Sequence, residues 1–256
     1  MLSKNDLKRV SDLRIKKWRD ETGCFAAEGQ KMVGELMHSD LKIREIYGTE
    51  KWLNEHPQTK MKGETRIVCV SETELGRLSA QKSPNEVIAV CSIPRYSFPK
   101  VLKGTLNLYF DHISDPGNMG TLVRLADWFG IQEIYCSPGC VDFYSSKVIQ
   151  AGMGAVSRIR CFKANLTDLL PLCMDIEICG AVLNGENLYK ANFKKRQLLV
   201  LGNESSGISQ ENLGHLARTI TIPPRPGYGS ESLNVAVAGG IIMSELLRTE
   251  IKSLEA

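Results

Sequence analysis

Three loops rich in glycine and small polar residues carry the side chains best suited to chemistry. The first is Asp115-Pro116-Gly117-Asn118-Met119-Gly120, with Arg124 just beyond it. The second is Leu201-Gly202-Asn203-Glu204-Ser205-Ser206-Gly207-Ile208. The third leaves Ile222 through a Pro/Gly-rich stretch and reaches Ser232-Leu233-Asn234-Val235. Each leads from an apolar run toward a helical pattern, which is how an α/β fold builds a buried small-molecule site. No Gly-x-Gly-x-x-Gly follows a strand pattern, and there is no Walker loop. Gly152-Met153-Gly154 sits behind a helical segment, the wrong context for a dinucleotide cradle. The glycine loops offer backbone N–H and C=O groups to a ligand with few negative charges. S-adenosylmethionine fits that description, with an adenine, a ribose and a zwitterionic methionine but no phosphate.

The elements that must position these loops form a regular rhythm. Strand patterns at 106–110, 131–136, 156–162, 178–183, 198–201 and 219–222 alternate with helical ones. The helical patterns cover 119–129, 145–151, 167–174 (across Pro171), 209–217 and 234–248. Short loops between alternating strands and helices predict a mostly parallel sheet covered on both faces. Ahead of it, 3–18 and 31–37 read as helices and 43–47, 65–70 and 87–91 as strands. Ser71 with Glu74 three residues on predicts a capping box. The segment 93–105, with two prolines, three basic residues and no period, reads as a linker. The expected organisation is therefore an α/β domain over 1–95, a linker over 96–105 and a larger α/β domain over 106–256.

A chain of 256 residues can bury one large core or two modest ones. No apolar run is long enough to span a bilayer. The start, MLSKNDLKRV, lacks the apolar core of a secretory signal, so the cytoplasm is the expected location. The eight cysteines include no Cys-x-x-Cys and lie mostly in apolar runs. Buried free thiols are expected, and no metal site. Net charge is +3, but residues 1–100 hold 18 Lys+Arg against 14 Asp+Glu, while the rest hold 14 against 15. A basic start suits a polyanion partner, although a solvated helix face reads the same way.

At this point the residues resemble a family. Asp115 to Gly120 with Arg124 and Gly130, Gly202-Asn203-Glu204 with Gly207-Ile208, and Ile222-Pro223 with Ser232 to Val235 are similar, in order, to the three motifs of the SpoU (TrmH-type) RNA ribose 2′-O-methyltransferases of the SPOUT superfamily. Phe25-Ala26-Ala27-Glu28-Gly29 and Leu78-Ser79…Ser83-Pro84…Val87 resemble that family's L30e-like substrate-binding domain. The resemblance implies a catalytic α/β domain with a C-terminal trefoil knot, and a homodimer packed through the knot region. It also implies S-adenosylmethionine held by backbone around Gly202, Ile222 and Leu233, and a 2′-O-methylated ribose in structured RNA as product. Ribosomal RNA is the first expectation, because the L30e-like domain typifies that branch. Transfer RNA is the alternative substrate, and a non-catalytic RNA-binding homologue the alternative class. Two departures stand out. Ser205 occupies a position usually held by Gly, which is expected to narrow that loop's backbone angles. Pro224 to Glu231 lengthen the third motif.

The resemblance points to Arg124, Asn118, Glu204, Ser232 and Asn234 as the catalytic set. Methyl transfer to a hydroxyl needs the ribose oxygen held in line and its proton removed. An arginine side chain stays charged and is a poor base, so Arg124 is read here as a stabiliser of the developing alkoxide. Its bland reading is a surface arginine paired with Asp127 at i+3. Asn118 either caps the following helix or contacts Arg124 or RNA. Glu204 either orients Arg124, contacts substrate, or is a loop carboxylate. Ser232 and Asn234 at a helix start combine capping with steering of the ribose. His112 is an alternative base without an evident partner, and Arg225 and Tyr228 could stack on or clamp RNA.

Overall fold

The computed structural model describes residues 2–57, 64–81, 85–225, 227 and 232–248. It divides into two compact units, and the division is not a single cut in the chain. One unit comprises 1–95 together with 142–158; the other comprises 96–141 and 159–256. No described helix is long and apolar enough to cross a membrane.

The first unit is a four-stranded sheet with helices. Strands β1 (Cys24–Glu28), β2 (Ile43–Gly48), β3 (Arg66–Cys69) and β4 (Val87–Ser92) lie in the order β1-β4-β2-β3. β4 is antiparallel to both neighbours, and β2 and β3 are parallel. The continuous helix expected over 3–18 is instead two, α1 (Lys4–Asp12) and α2 (Lys16–Thr22), because Ile15 adopts an extended conformation. β1 and the short α4 (Glu50–Glu55) have no counterpart in the sequence reading. Helix α3 (Gln30–Met37) and α5 (Glu72–Leu78) stand where expected, and α5 carries the Ser71–Glu74 capping box. Val10 and Leu13 reach the core with Tyr47, Leu75, Leu78 and Ile88. Asp6 is buried beneath α1, where Arg9 (3.0 Å) and Arg66 (2.7 Å) pair with its carboxylate.

The inserted piece 142–158 contains α7 (Ser146–Gly152) and a 3₁₀ turn (Met153–Ser157), so the strand expected from Val156 begins only at Arg160. The turn lies tight on α3. A methyl at Gly154 would stand 1.5 Å from the Glu35 carboxylate, and Arg158 pairs with that same carboxylate at 3.0 Å.

The second unit is a six-stranded, all-parallel sheet. β5 (Leu106–Phe110), β6 (Glu133–Cys136), β7 (Arg160–Lys163), β8 (Glu177–Asn187), β9 (Gln197–Leu201) and β10 (Arg218–Thr221) lie in the order β10-β8-β9-β5-β6-β7. β5 and β9 are buried at every residue, as strands covered on both faces must be. Tyr109, Leu198 and Val200 face one core with Tyr135, Phe162, Leu166 and Leu169. On the other face, helix α10 (Val235–Leu246) packs on α6 (Pro116–Trp128). Gly239 lets it close in, since a methyl there would come within 2.8 Å of Leu122 and 3.0 Å of Leu201. Two expected helices are shorter than the sequence suggested. α8 (Leu166–Leu169) gives way to a 3₁₀ turn at Pro171, which cannot donate a helical hydrogen bond, and α9 covers only Gln210–Leu213. The segment from Tyr96 onward belongs to this unit, with Leu102 buried and Phe98 edge-on to Tyr135 and Phe162.

Candidate active site

Because the strands are parallel, the loops after β5, β9 and β10 emerge at one edge of the sheet. β5 is where the order reverses, with β6 on one side and β9 on the other. Ligands of open parallel sheets bind at such a reversal, beyond the carboxyl ends of the strands. Here the first and second loops are direct neighbours.

Asp115 begins the site. Its side chain caps α6 by accepting the N–H of Asn118 at 2.8 Å, and Pro116 takes the first helical position, where its missing N–H costs nothing. Helix α6 thus starts three residues before the expected Met119, and Asn118 is not its cap. Freed from capping, the Asn118 amide bridges the other two loops. Its Nδ2 donates to Glu204 Oε1 at 2.9 Å, and its Oδ1 accepts from Asn234 Nδ2 at 2.8 Å. Asn234 is the cap of α10, with Oδ1 accepting the N–H groups of Ala236 (2.9 Å) and Val237 (3.3 Å). A chain Asn234–Asn118–Glu204 therefore joins all three motifs, and the local geometry fixes which amide atom faces which partner.

Glu204 is held from several sides. Besides Asn118, the Ser114 hydroxyl (3.3 Å), the Asp115 N–H (3.4 Å) and Asn203 Nδ2 (3.3 Å) all donate to its carboxylate. Asn203 organises the loop itself. Its Nδ2 donates to the His112 carbonyl at 2.7 Å, and its Oδ1 accepts from the N–H groups of Ser205 and Ser206. Asn203 and Gly207 exchange two backbone hydrogen bonds of 2.9 Å. The left-handed residue in this turn is Gly207 (φ 70°), not Ser205, so the serine imposes no backbone strain there. Gly202 is obligatory, for a methyl would sit 2.3 Å from backbone atoms of Gly207 and Ile208.

Arg124 lies farther along α6, exposed, and among the described residues it makes no hydrogen bond or ion pair, with Asp127 or with Glu204. The expectation that Glu204 or Asn118 touches Arg124 is thus not met; both are committed to each other. Ser232 and Leu233 are exposed just ahead of the α10 cap, and Ile222 is half-buried just past β10. Arg225 is exposed; Tyr228 and most of the lengthened third motif lie outside the described residues, as do Ser83 and Pro84.

His112 does have a partner. Its Nδ1 lies 2.7 Å from Asp111 Oδ1, and its backbone is left-handed (φ 57°). Asp111 is buried; burial pushes its carboxyl up, but hydrogen bonds from Asn212, Ser209 and His112 outweigh this and hold it below the ordinary value. The sequence reading missed Asp115 as cap, and Ser114 and Asn203 as holders of Glu204. The Asp-Pro pair at a helix start was the available signal for the first.

Comparison with known proteins agrees with this geometry. Residues 105–244 match the model of the SpoU rRNA Methylase family, and residues 4–89 match the MRM3-like substrate binding domain. The chain belongs to the SpoU rRNA methylase family. It is 28% identical over 240 residues to the 23S rRNA (guanosine(2553)-2′-O)-methyltransferase RlmP of Bacillus subtilis, covering 91% of this chain and 92% of that one. A putative RNA methyltransferase of the TrmH family from Porphyromonas gingivalis superposes with a TM-score of 0.86 at 37% identity, covering 97% of this chain and 99% of the other. An AdoMet-bound rRNA methyltransferase from Sinorhizobium meliloti gives 0.85 at 26% identity, with 97% of each chain covered.

Proposed function

We propose that this protein transfers a methyl group from S-adenosylmethionine to a ribose 2′-hydroxyl of ribosomal RNA. The observation that carries the reading is the Asn234–Asn118–Glu204 chain, which locks three strand-end loops together. The residues present suit the methyl donor. Gly202 leaves no room for a side chain where its loop doubles back, and Ile222 and Leu233 offer apolar surface and backbone groups. These would hold the donor's adenine, ribose and methionine without a phosphate cradle. When bound, the sulfonium supplies an activated methyl carbon.

The protein's own work is then positional and electrostatic. Asn118 and Asn234 fix the starts of α6 and α10 relative to each other. Glu204, saturated with donors, holds the second loop against the first. Arg124, with its guanidinium uncommitted, stabilises negative charge developing on the ribose oxygen, while a phosphate or water takes the proton. Ser232 steers the ribose. The 1–95 portion, with its basic start, presents the RNA to a catalytic domain formed by 106–256.

The threaded C-terminal segment and a homodimer belong to the same reading. Trp128 at the end of α6 is 84% exposed and Val237 on α10 is 53% exposed, apolar surface that a second copy would cover. A cytoplasmic site of action goes with an rRNA substrate. The test is to incubate the purified protein with labelled methyl donor and protein-free rRNA, then map ribose methylation by mass spectrometry. A single 2′-O-methylated nucleotide supports the proposal; absence of label in rRNA with label in tRNA, or none in either, refutes it.

A further inference from the structure

One face of α3 is left open beside the 3₁₀ turn of the inserted stretch, and both belong to the first unit. Met32, Val33, Leu36 and Met37 turn into the core, so Lys31, Gly34, Glu35 and His38 line the opposite side at helical spacing. With Ser157 and Arg158 they bound a cavity of about 470 Å³, within the range of small-ligand sites. Ser157 and Arg158 lie outside the 1–95 portion assigned above to presenting RNA.

Gly34 is the informative residue. Glycine inside a helix weakens it, and it persists where packing or a close approach requires it. Packing does not require it here, since a methyl at Gly34 would find nothing within 4 Å. The residue bares the backbone of α3 to the cavity at a cost that the protein's own packing does not explain. The turn on the other side is strained. Met153 has φ 51° and ψ −150°, a combination that side chains avoid and that clusters at functional sites. That turn delivers Arg158 to Glu35 at 3.0 Å and the Ser157 hydroxyl to the Gly154 carbonyl at 2.7 Å.

The lining suits a phosphate carried on a polar body. Lys31 is exposed and makes no hydrogen bond or ion pair among the described residues. Lys31 and Arg158 are two permanent cations against one lining carboxylate, Glu35, so the balance is positive and attracts an anion. The His38 ring commits Nδ1 to the Gly34 carbonyl at 2.8 Å, which leaves Nε2 to meet a ligand.

We propose that this cavity binds one unpaired nucleotide of the RNA substrate. Its phosphate sits on Lys31 and Arg158. Its sugar or base lies against the bare α3 backbone at Gly34, within reach of His38 Nε2 and the Ser157 hydroxyl. The occupant is unpaired because a duplex keeps its bases stacked, whereas a single strand can splay one into a cavity. The proposal rests on the reading of the substrate as RNA, and it adds a contact built jointly by two separated stretches of sequence.

The test is fluorescence anisotropy of a labelled, unstructured RNA oligonucleotide, titrated with the intact protein across a salt series and without methyl donor. Lys31→Gln should weaken binding about fivefold or more and reduce the slope of log K against log salt by about 0.7, the loss of one phosphate contact to a single strand. Gly34→Leu should melt no lower than the unmodified protein, because leucine favours a helix and the space is open. It should still weaken binding about fivefold or more, with the salt slope unchanged because no charge is lost. An RNA carrying 4-thiouridine should crosslink on irradiation to peptides that hold residues 30–39 or 157–158. Unchanged affinity in either variant, or crosslinks confined to other peptides, overturns the proposal. Displacement of the RNA by a 5′-mononucleotide or by poly-glutamate at equal concentration does so too. Binding is read without methyl transfer, so absence of label in rRNA would refute the assigned activity and leave this site standing, while unchanged binding in the variants would do the reverse.

Discussion

Asn118→Asp tests the joint between the three loops with the least change in shape. The amide Nδ2 that donates to Glu204 at 2.9 Å becomes an oxygen of the same size. The partner of Asn234 is kept, because that side chain donates and a carboxylate accepts. The cost has two parts. Losing a hydrogen bond to a charged acceptor removes about 2 kcal/mol. Placing two carboxylate oxygens about 3 Å apart in this half-buried setting adds roughly 1.5–5 kcal/mol for effective dielectrics between bulk water and a protein surface. The helix start returns about 0.5 kcal/mol, since a negative charge is favoured there. A net loss of about 3–6.5 kcal/mol in the assembled site lowers methyl transfer about a hundredfold or more at pH 8. Lowering the pH reverses this, because one proton shared between the two carboxylates removes the repulsion and restores an O–H donor. The assay is label transfer from S-adenosylmethionine into rRNA from about pH 8 to about pH 6, with a thermal melt at each pH. The variant should gain activity relative to the unmodified protein as pH falls, while remaining folded throughout. Full activity at pH 8, or a deficit that does not shrink on acidification, would refute the reasoning.

Three further outcomes follow from other parts of the molecule. Arg124→Lys keeps the charge but loses the planar fork, so turnover should fall about tenfold or more while calorimetric affinity for S-adenosylmethionine stays the same; near-native turnover removes the need for a guanidinium. In Gly202→Ala the new methyl meets backbone of Gly207 and Ile208 at 2.3 Å, and neither can withdraw without breaking the Asn203–Gly207 pair. A loss of about 3 kcal/mol and a fall in Tm of about 9 °C are expected by calorimetry. Asp6 is held well below the ordinary carboxylate range, chiefly by Arg66, with burial opposing and Ser3 and Arg9 adding to the effect. A depressed folded-state value means stability present above the ordinary value near 3.9 and lost as pH falls below it. Asp6→Asn should therefore be less stable at neutral pH, and urea titrations should show its deficit shrinking as the pH drops from about 5 to about 2.

Much of the second unit was legible because its signals are local. β5 is apolar except for Asn107 and β9 except for its first residue, Gln197, and Asn234 before an apolar helix is a cap in any context. The helix starts were less so, since Asp115 and Asn118 both have capping chemistry and only the structure shows that the aspartate takes the role and frees the amide to bridge. β1 was missed because Cys24-Phe25-Ala26-Ala27-Glu28 has little strand preference of its own; it is made a strand by pairing with β4, some sixty residues later in the chain. The end of the 3₁₀ turn, Val156-Ser157, was read as the start of a strand; Val156 is buried, but in the core of the first unit rather than in the parallel sheet. Arg124 gave its chemistry in the sequence, and the structure adds that it makes no hydrogen bond or ion pair among the described residues. Apart from the adjacent Asn203, the partners of Glu204 come from residues some ninety positions away, and no spacing rule reaches that far.

The excursion of 142–158 means that the peptide chain passes between the two units three times: near 95, near 141 and near 158. A protease that cut only the segment around residue 95 would sever 1–95 from the rest of the chain, yet leave it packed on 142–158, which stays in the other fragment. A fragment ending at residue 95 would lack α7, which lies against β1, and Gly154, which lies against Glu35. Anyone transplanting the amino-terminal module onto a related enzyme, to alter which RNA is recognised, would have to move two separate stretches of sequence as one part.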